Sequence, residues 1–368
     1  MKKATCILII AALLIALPFN ANASNQEART GSIRSTESPL VNTAQLAEIG
    51  RQLAFWMQCS ESEYDTVNAA FSLGEPIRSY ELINGQAIQT GISYIPIFYE
   101  DKLTCFAIVF DSPADSTVQL TGGLADKLGP FVGNTPVAFL YDSKNCYLVT
   151  HYDVQLLYEN DHRIETRSTF ESIADLSTSN LILTELYPSS EFDSDLITST
   201  RSAISLPVSY VSQYIAPGVT SNICWAASTA CIGNYLTTNY YTAIQVAQAV
   251  YGNTNYNQGA GIDDAVDTLA SLYSIYYSYY DYSTPPTESR IYNNINAGYP
   301  LFGGCHYLSG DNVIGHMTVI SGIDYGSYIY IMDPWFGFTI AQPYYGYYIY
   351  KFAGTNTDVL VTGYGAMI

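Results

Sequence analysis

The stretch "TSNICWAAST" (residues 220–229) decides how the C-terminal half of the chain is interpreted. The small polar residues Ser221 and Asn222 are typical of a helix start, and the alanine-rich run after them continues as a helix. Cys224 then lies in the first turn, where the helix dipole favours a negative charge. Since the thiolate is the nucleophilic form of cysteine, this position favours a reactive thiol. The alternative is a buried structural cysteine, because cysteine also packs as a small apolar residue.

A histidine further along the chain is a candidate base for this thiol. His316 opens the predicted strand "HMTVISGID" (316–324) directly after Gly315. Imidazole accepts and returns a proton near neutral pH, which a thiol nucleophile requires of its partner. The alternative is a hydrogen-bonded histidine of the core. His306, in "GGCHYL" on an earlier predicted strand, is a competing base, but it lacks the acidic partner that His316 has.

That acidic partner is Asp333, the last residue of the predicted strand "YIYIMD" (328–333). A turn over residues 324–327 makes this strand and the strand of His316 an antiparallel pair, so the start of one lies beside the end of the other. The carboxylate would then hold the imidazole in one tautomer and orientation. Pro334 ends the strand, since proline has no N–H for the ladder. The alternative is an aspartate that opens a turn before proline.

Acyl transfer also requires hydrogen-bond donors for the oxyanion. The backbone N–H of Cys224 is one candidate. Gln213, in "VSYVSQYIAP" (208–217), is a side-chain candidate upstream of the cysteine. A surface glutamine without a chemical role is the alternative.

The composition excludes several classes of protein. The net charge of −19 argues against nucleic-acid binding, because Lys and Arg clusters are missing, and it fits a soluble extracellular protein. The 34 tyrosines favour a twisted sheet with one solvent-exposed face, because tyrosine combines apolar area with a polar tip. The alternative is a carbohydrate-binding face. The seven cysteines show no metal-ligand spacing, so we expect no structural zinc and no cofactor. The sequence leaves open whether Cys231 and Cys305 form a disulfide.

The N-terminus has the pattern of an export signal. Two lysines precede an apolar run over residues 6–17, and Ala21-Asn22-Ala23 is a small-x-small cleavage site. We therefore predict a signal peptide at 1–23, a secreted, extracellular product and no stable membrane insertion after cleavage. An uncleaved anchor is the alternative, although the apolar run is short for a bilayer span. Residues 24–41 are polar and Ser-rich, which predicts a flexible leader.

The rest of the chain divides into two parts joined by a polar segment. Residues 42–184 predict a small α+β domain, with a helix over 42–58 and hairpins over 92–110 and 135–152. Residues 185–206 are rich in Ser, Thr and Asp without a sustained apolar face. They predict an exposed linker of the kind that proteases cut.

Residues 207–368 also predict an α+β domain, in which helices come first and an antiparallel sheet follows. Apolar periodicity and capping residues mark four helices, over 225–236, 242–251, 262–273 and 288–297. A change to alternation then marks five strands, over 300–308, 316–323, 328–333, 345–352 and 358–364.

The motifs "NICWAAS" with Cys224, "GHMTVISGID" with His316 and "MDPW" with Asp333 resemble those of papain-like bacterial cysteine peptidases. The double-glycine-peptidase-like and staphopain-like branches are the most similar, over roughly residues 205–345. The resemblance implies a papain-like domain with catalytic residues in the order Cys, His, Asp and a glutamine before the cysteine. At the usual place of that glutamine this chain has Gly218, and Gln213 lies further upstream.

The N-terminal α+β domain resembles the propeptides of secreted bacterial cysteine peptidases, which pack over the cleft. The resemblance implies a zymogen that is cleaved within about residues 190–206. The predicted function is a secreted cysteine endopeptidase that hydrolyses peptide bonds through a Cys-His-Asp triad, with protein substrates and its own propeptide as partners. The alternatives are a cell-wall amidase or acyltransferase that uses the same triad, and a non-catalytic Tyr-rich surface binding module.

Overall fold

The computed structural model describes most of the chain after residue 40. The described residues are 41–59, 70–110, 118–141, 145–159, 181–197, 203–215, 221–281, 283–309, 312–335, 337–351 and 358–367. They all belong to one compact unit. The predicted signal peptide and nearly all of the predicted leader lie outside them. Among the described helices, none is long and apolar enough to span a membrane.

The N-terminal half combines two helices with a mostly antiparallel sheet. Its described elements are α1 (Thr43–Cys59), β1 (Phe71–Gly74), β2 (Ile77–Ile83), β3 (Gln86–Tyr99), β4 (Lys102–Phe110), β5 (Val118–Thr121), α2 (Gly123–Leu128), β6 (Ala138–Tyr141), β7 (Asn145–Val149) and β8 (Val154–Glu159). The predicted helix and both predicted hairpins, β3–β4 and β6–β7, are confirmed. The long strand β3 lies between β4 on one side and β1 and β2 on the other, and β2 continues through parallel β6.

The C-terminal half has its helices before most of its strands, as predicted. Its described elements are α3 (Cys224–Leu236), α4 (Ala243–Tyr251), α5 (Ile262–Tyr273), β11 (Tyr277–Tyr280), α6 (Glu288–Asn296), β12 (Leu301–Ser309), β13 (Asn312–Asp324), β14 (Tyr328–Asp333), β15 (Gly337–Tyr344), β16 (Tyr347–Lys351) and β17 (Asp358–Met367). The predicted capping box of α4 is present, with Thr242 accepting from the N–H of Gln245. The mixed α+β fold is confirmed.

Six of the described strands close into an antiparallel barrel. The order is β12–β13–β14–β15–β16–β17, and β17 pairs back with β12. Strand β15 was missed in the sequence, because Pro343 within "GFTIAQPY" counts against a strand. It pairs with both β14 and β16, so the barrel closes through it.

The strand that carries His316 begins earlier than predicted. Strand β13 starts at Asn312, and its first residues pair with the end of β12, so that Gly315 lies opposite His306. The prediction that His316 opens its strand is therefore wrong, because the β12–β13 ladder continues across Gly315. His316 lies inside the strand, opposite Cys305.

The segment 185–206 forms two short strands besides its exposed stretches. Strand β9 (Pro188–Glu191) pairs with β1, and β10 (Ala203–Ser205) pairs with the Gly322–Asp324 end of β13. The side chains of Ser189, Ser190 and Glu191 are exposed, as their polarity predicts. Strand pairing uses backbone groups, so a polar sequence does not prevent it. Residues 198–202 lie outside the described part of the chain.

The two halves share one apolar core. Trp56 of α1 stacks on Phe338 of β15, with ring centroids 5.4 Å apart, and Phe55 packs against Tyr328 at 6.0 Å. Gly322 of β13 leaves room for this helix, since a Cβ there would lie 3.1 Å from the Cys59 sulfur. The helix α1 therefore packs directly on the barrel strands.

A buried glutamine also connects the same halves by hydrogen bonds. The Gln119 side chain on β5 donates to Thr339 Oγ1 at 2.9 Å and to the Lys351 carbonyl at 3.1 Å. Within the N-terminal half, the Gln52 amide of α1 binds the backbone of β5 at the Val118 carbonyl (2.7 Å) and the Leu120 N–H (2.9 Å), which fixes the helix beside the strand of Gln119. These contacts satisfy buried polar groups that would otherwise oppose docking.

We predict that Trp56→Ala destabilises both halves together. Trp56 is buried, and truncating a buried tryptophan costs about 3–5 kcal/mol of unfolding free energy. Differential scanning calorimetry should show one transition at a lower temperature, whereas Tyr152→Ala, at an exposed tyrosine, should leave it unchanged. A barrel transition that Trp56→Ala does not move would contradict a shared core.

Candidate active site

Cys224 is the first residue of α3, as its sequence context predicts. The helix is capped at Ile223 without a side-chain hydrogen bond, so Ser221 and Asn222 precede the cap rather than form it. The thiol is free and partly exposed. The helix is fixed to the barrel because Ser228 Oγ donates to the Met317 carbonyl at 3.1 Å. This bond joins the helix of the thiol to the strand of His316.

His316 is buried, and one of its two ring nitrogens is held by a carboxylate. Its Nε2 lies 2.9 Å from Asp333 Oδ1, which leaves Nδ1 for the Cys224 side chain that also acts on the imidazole. Burial alone would lower the pKa of His316. The charge and hydrogen bond of Asp333, with a smaller contribution from Cys224, outweigh burial and raise this pKa to about 10. The site therefore favours an imidazolium next to the sulfur.

Asp333 is fully buried at the end of β14 and accepts three hydrogen bonds. Its Oδ1 accepts from His316 and from the backbone N–H of Trp335 at 2.8 Å. Its Oδ2 accepts from the Tyr350 hydroxyl at 2.9 Å. The predicted antiparallel pairing of β13 and β14 around Asp324–Ser327 is confirmed. Cys224, His316 and Asp333 are thus brought together by α3 and two paired strands.

Gln213 is buried between two parts of the site. Its backbone N–H donates to the Pro334 carbonyl at 3.0 Å, and its Nε2 donates to the Ser221 carbonyl at 3.1 Å. The Ser221 hydroxyl returns a bond to the Gln213 carbonyl. The alternative of a surface glutamine is therefore wrong. The residues "APGVT" (216–220) between Gln213 and Ser221 lie outside the described part of the chain.

His306, the competing candidate base, lies beside a hydroxyl group. The His306 Nδ1 lies 3.2 Å from Thr362 Oγ1, a hydroxyl rather than a carboxylate. Burial lowers the pKa of His306, which disfavours its charged form. His151 is exposed, and His162 lies outside the described residues.

The six cysteines of the described ranges all carry free thiols, including Cys231 and Cys305, which form no disulfide here. Burial raises the pKa of both of these thiols to about 12, so they stay protonated at neutral pH. Cys224 is the one of the six that is partly exposed. Across the described residues, no group of three or more His, Cys, Asp or Glu side chains could hold a metal ion.

Two residues of the site carried no role in the sequence analysis. Trp335 packs its ring near the imidazole of His316, with centroids 5.8 Å apart, and its N–H binds Asp333. The tryptophan two residues after Asp333 was a visible signal, because a buried imidazole–carboxylate pair needs an apolar cover. Tyr350 had no such signal, since the C-terminal half contains many tyrosines at strand positions.

We predict that His316 remains protonated well above pH 7. In an NMR titration of the imidazole, the pKa should lie near 10, because Asp333 stabilises the charged ring. In Asp333→Asn this pKa should fall steeply, since burial then acts without a compensating charge. His306, whose pKa burial lowers, is an internal comparison. A neutral His316 at pH 7 in the wild type would contradict this account.

The comparison with known families agrees with this geometry. Residues 202–342 match the sequence profile of the family described as papain-like cysteine protease AvrRpt2. The match contains Cys224, His316, Asp333 and Gln213, and it begins one residue before the strand β10. No curated protein matches the chain in sequence. Residues 202–342 are thus those of a papain-like cysteine protease, and the chain is a cysteine peptidase, a hydrolase.

Proposed function

We propose that the chain is a secreted cysteine endopeptidase, made as a zymogen, that cleaves peptide bonds through Cys224, His316 and Asp333. The observation that carries this proposal is the buried hydrogen bond between His316 Nε2 and Asp333, beside the partly exposed Cys224 whose side chain acts on the same imidazole. Burying an imidazole and a carboxylate costs free energy unless the two groups are paired. Here the pairing holds Nε2 of His316 on Asp333 and leaves Nδ1 for the nucleophile.

The first chemical step is attack of sulfur on the peptide carbonyl. In the resting site the thiol proton already lies on His316, whose pKa is raised to about 10, so the sulfur attacks as a thiolate paired with the imidazolium. The Cys224 sulfur forms a bond to the carbonyl carbon while the carbonyl oxygen becomes an oxyanion. His316 then donates its proton to the leaving amine, and an acyl-enzyme remains.

The second step releases the acid product. His316, now neutral, takes a proton from water, and the hydroxide equivalent attacks the thioester carbon. The carbon–sulfur bond breaks, and Cys224 and His316 return to their starting state. Asp333 keeps the ring orientation through both steps, since its Oδ1 holds Nε2.

The oxyanion would be held by donors at the start of α3. The first N–H groups of a helix have no partner within the helix, so the Cys224 N–H is available. Gln213 Nε2 carries two N–H groups, of which one binds the Ser221 carbonyl. We assign the second N–H to the oxyanion.

The N-terminal half is proposed as a propeptide. Lys127 of α2 donates to the Tyr214 hydroxyl at 3.2 Å, next to Gln213, and to the Leu157 carbonyl at 2.7 Å. The Gly122 N–H donates to the Phe338 carbonyl at 3.0 Å, shortly after Asp333 and Trp335. The N-terminal half thus contacts the segments on both sides of the site, which supports a role in controlling it.

Secretion and processing complete the proposal. The predicted signal peptide supports export, and the polar 190–206 region supports cleavage there. The side chains of Glu191, Asp193 and Asp195 are exposed on either side of the buried Phe192, so a protease can reach the polar positions of this segment.

We predict that Cys224→Ala abolishes hydrolysis of casein, because no other thiol replaces the nucleophile. Removing a catalytic nucleophile lowers kcat by a factor on the order of 10⁶. Cys231→Ala, at a buried cysteine of the same helix, should keep most of the activity. Retained activity in purified Cys224→Ala would contradict the proposal. Activity on peptidoglycan with none on casein would favour the cell-wall amidase instead.

We also predict that the N-terminal half is cleaved from the chain when the protein matures. Intact mass measurement of the secreted wild type should give a product that begins within about residues 190–206. Cys224→Ala should accumulate the longer form if the chain processes itself. An active wild type that retains the N-terminal half would contradict the zymogen.

A further inference from the structure

We propose that Tyr350 is a positioning residue for the Cys224–His316–Asp333 site: its hydroxyl fixes the Asp333 carboxylate in the plane that holds His316. This inference rests on the proposed function. It concerns a residue outside the segment 202–342 that matches the protease family.

The geometry leaves the carboxylate one orientation. Asp333 Oδ1 accepts from His316 at 2.9 Å and from the Trp335 N–H at 2.8 Å. Both of those bonds lie on one oxygen, so the other oxygen needs a donor of its own. The Tyr350 hydroxyl binds the other oxygen, Oδ2, at 2.9 Å. Three donors on two oxygens fix the plane of the group.

The fold places Tyr350 there by closing the barrel. Tyr350 lies in β16 and Asp333 ends β14, and both strands pair with β15. The hydrogen bond therefore joins strands that are not neighbours in the ladder. At the end of β15 nearest to Asp333 the paired residue is Gly337, which has no side chain.

The bond between Tyr350 and Asp333 is buried, so water cannot take the place of the hydroxyl. Asp333 is fully buried and Tyr350 is almost so. If the hydroxyl were removed, Oδ2 would be left without this donor inside the protein, and charge-assisted hydrogen bonds are roughly twice as strong as neutral ones. The carboxylate would then turn toward other donors and hold His316 less firmly.

The other titratable groups near Asp333 do not replace this donor. Burial and, to a smaller extent, the charge of Asp333 raise the pKa of Tyr210, Tyr214 and Cys305, so each of these groups stays protonated. The Cys305 thiol contacts Tyr350 and lies 3.6 Å from Thr318 Oγ1. His316 is the cation of this group, and the hydroxyl of Tyr350 stays protonated because burial and Asp333 raise its pKa.

The test compares Tyr350→Phe with Tyr348→Phe. Tyr348 is a buried tyrosine on the same strand, whose hydroxyl faces Glu288 at 3.4 Å. In Tyr350→Phe we expect kcat to fall about tenfold with KM unchanged. The basic limb of the pH–rate profile should move to lower pH, because a loosely held carboxylate stabilises the imidazolium less. Tyr348→Phe should change neither.

A double-mutant cycle separates positioning from general destabilisation. Without the Asp333 charge there is nothing for the hydroxyl to position, so Tyr350→Phe should cost little further kcat in an Asp333→Asn background. Equal losses in both backgrounds would overturn the proposal. So would a wild-type kcat in Tyr350→Phe, or a basic limb that moves to higher pH.

A second measurement does not depend on peptide hydrolysis. The rate at which iodoacetamide alkylates Cys224 reports the thiolate–imidazolium pair across pH. Tyr350→Phe should narrow the pH range of fast alkylation, and Tyr348→Phe should not. If the wild type alkylates in this way but cleaves no peptide, the proposed function fails while the positioning role stands. If Tyr350→Phe alkylates like the wild type, the positioning role fails.

Discussion

The hydrogen bond between His316 and Asp333 inside the barrel is the constraint on which the site depends. Both side chains are buried, and two such groups are tolerated in a protein interior when each satisfies the other. The bond commits Nε2 to the carboxylate and leaves Nδ1 for the thiol. The Trp335 ring packs against the imidazole of this pair, and the Tyr350 hydroxyl donates a hydrogen bond to the second oxygen of Asp333. The chemistry at Cys224 is therefore determined largely by residues that do not touch the substrate.

The barrel that carries this pair is supported from outside by the N-terminal half. The aromatic contacts of α1 with β14 and β15, together with the buried Gln119, continue the core of one half into the other. A propeptide attached in this way would do more than block a cleft. Its removal would expose Phe338, on the strand next to that of Tyr350, and the mature enzyme would need to cover or tolerate that apolar surface.

The sequence predicted the parts of the site that depend on local pattern. Cys224 at a helix start follows from the small polar residues before it and the alanine run after it, and Asp333 at a strand end follows from alternation and proline. The turn between β13 and β14 brings His316 to Asp333. The sequence did not predict β15, whose Pro343 hides it, or the true start of the His316 strand at Asn312. Tyr350 was beyond reach, because its contact depends on barrel closure, which is a pairing between distant segments rather than a local pattern.

The most direct test of the site is covalent labelling by an epoxide that reacts with activated thiolates, followed by peptide mass mapping. The account predicts one adduct per chain, on Cys224, near neutral pH, with the buried thiols unmodified. It also predicts that labelling is lost in His316→Ala, because the thiol then lacks its base. Labelling spread over several cysteines, or labelling of Cys224 that His316→Ala leaves unchanged, would contradict a thiol activated by the His316–Asp333 pair.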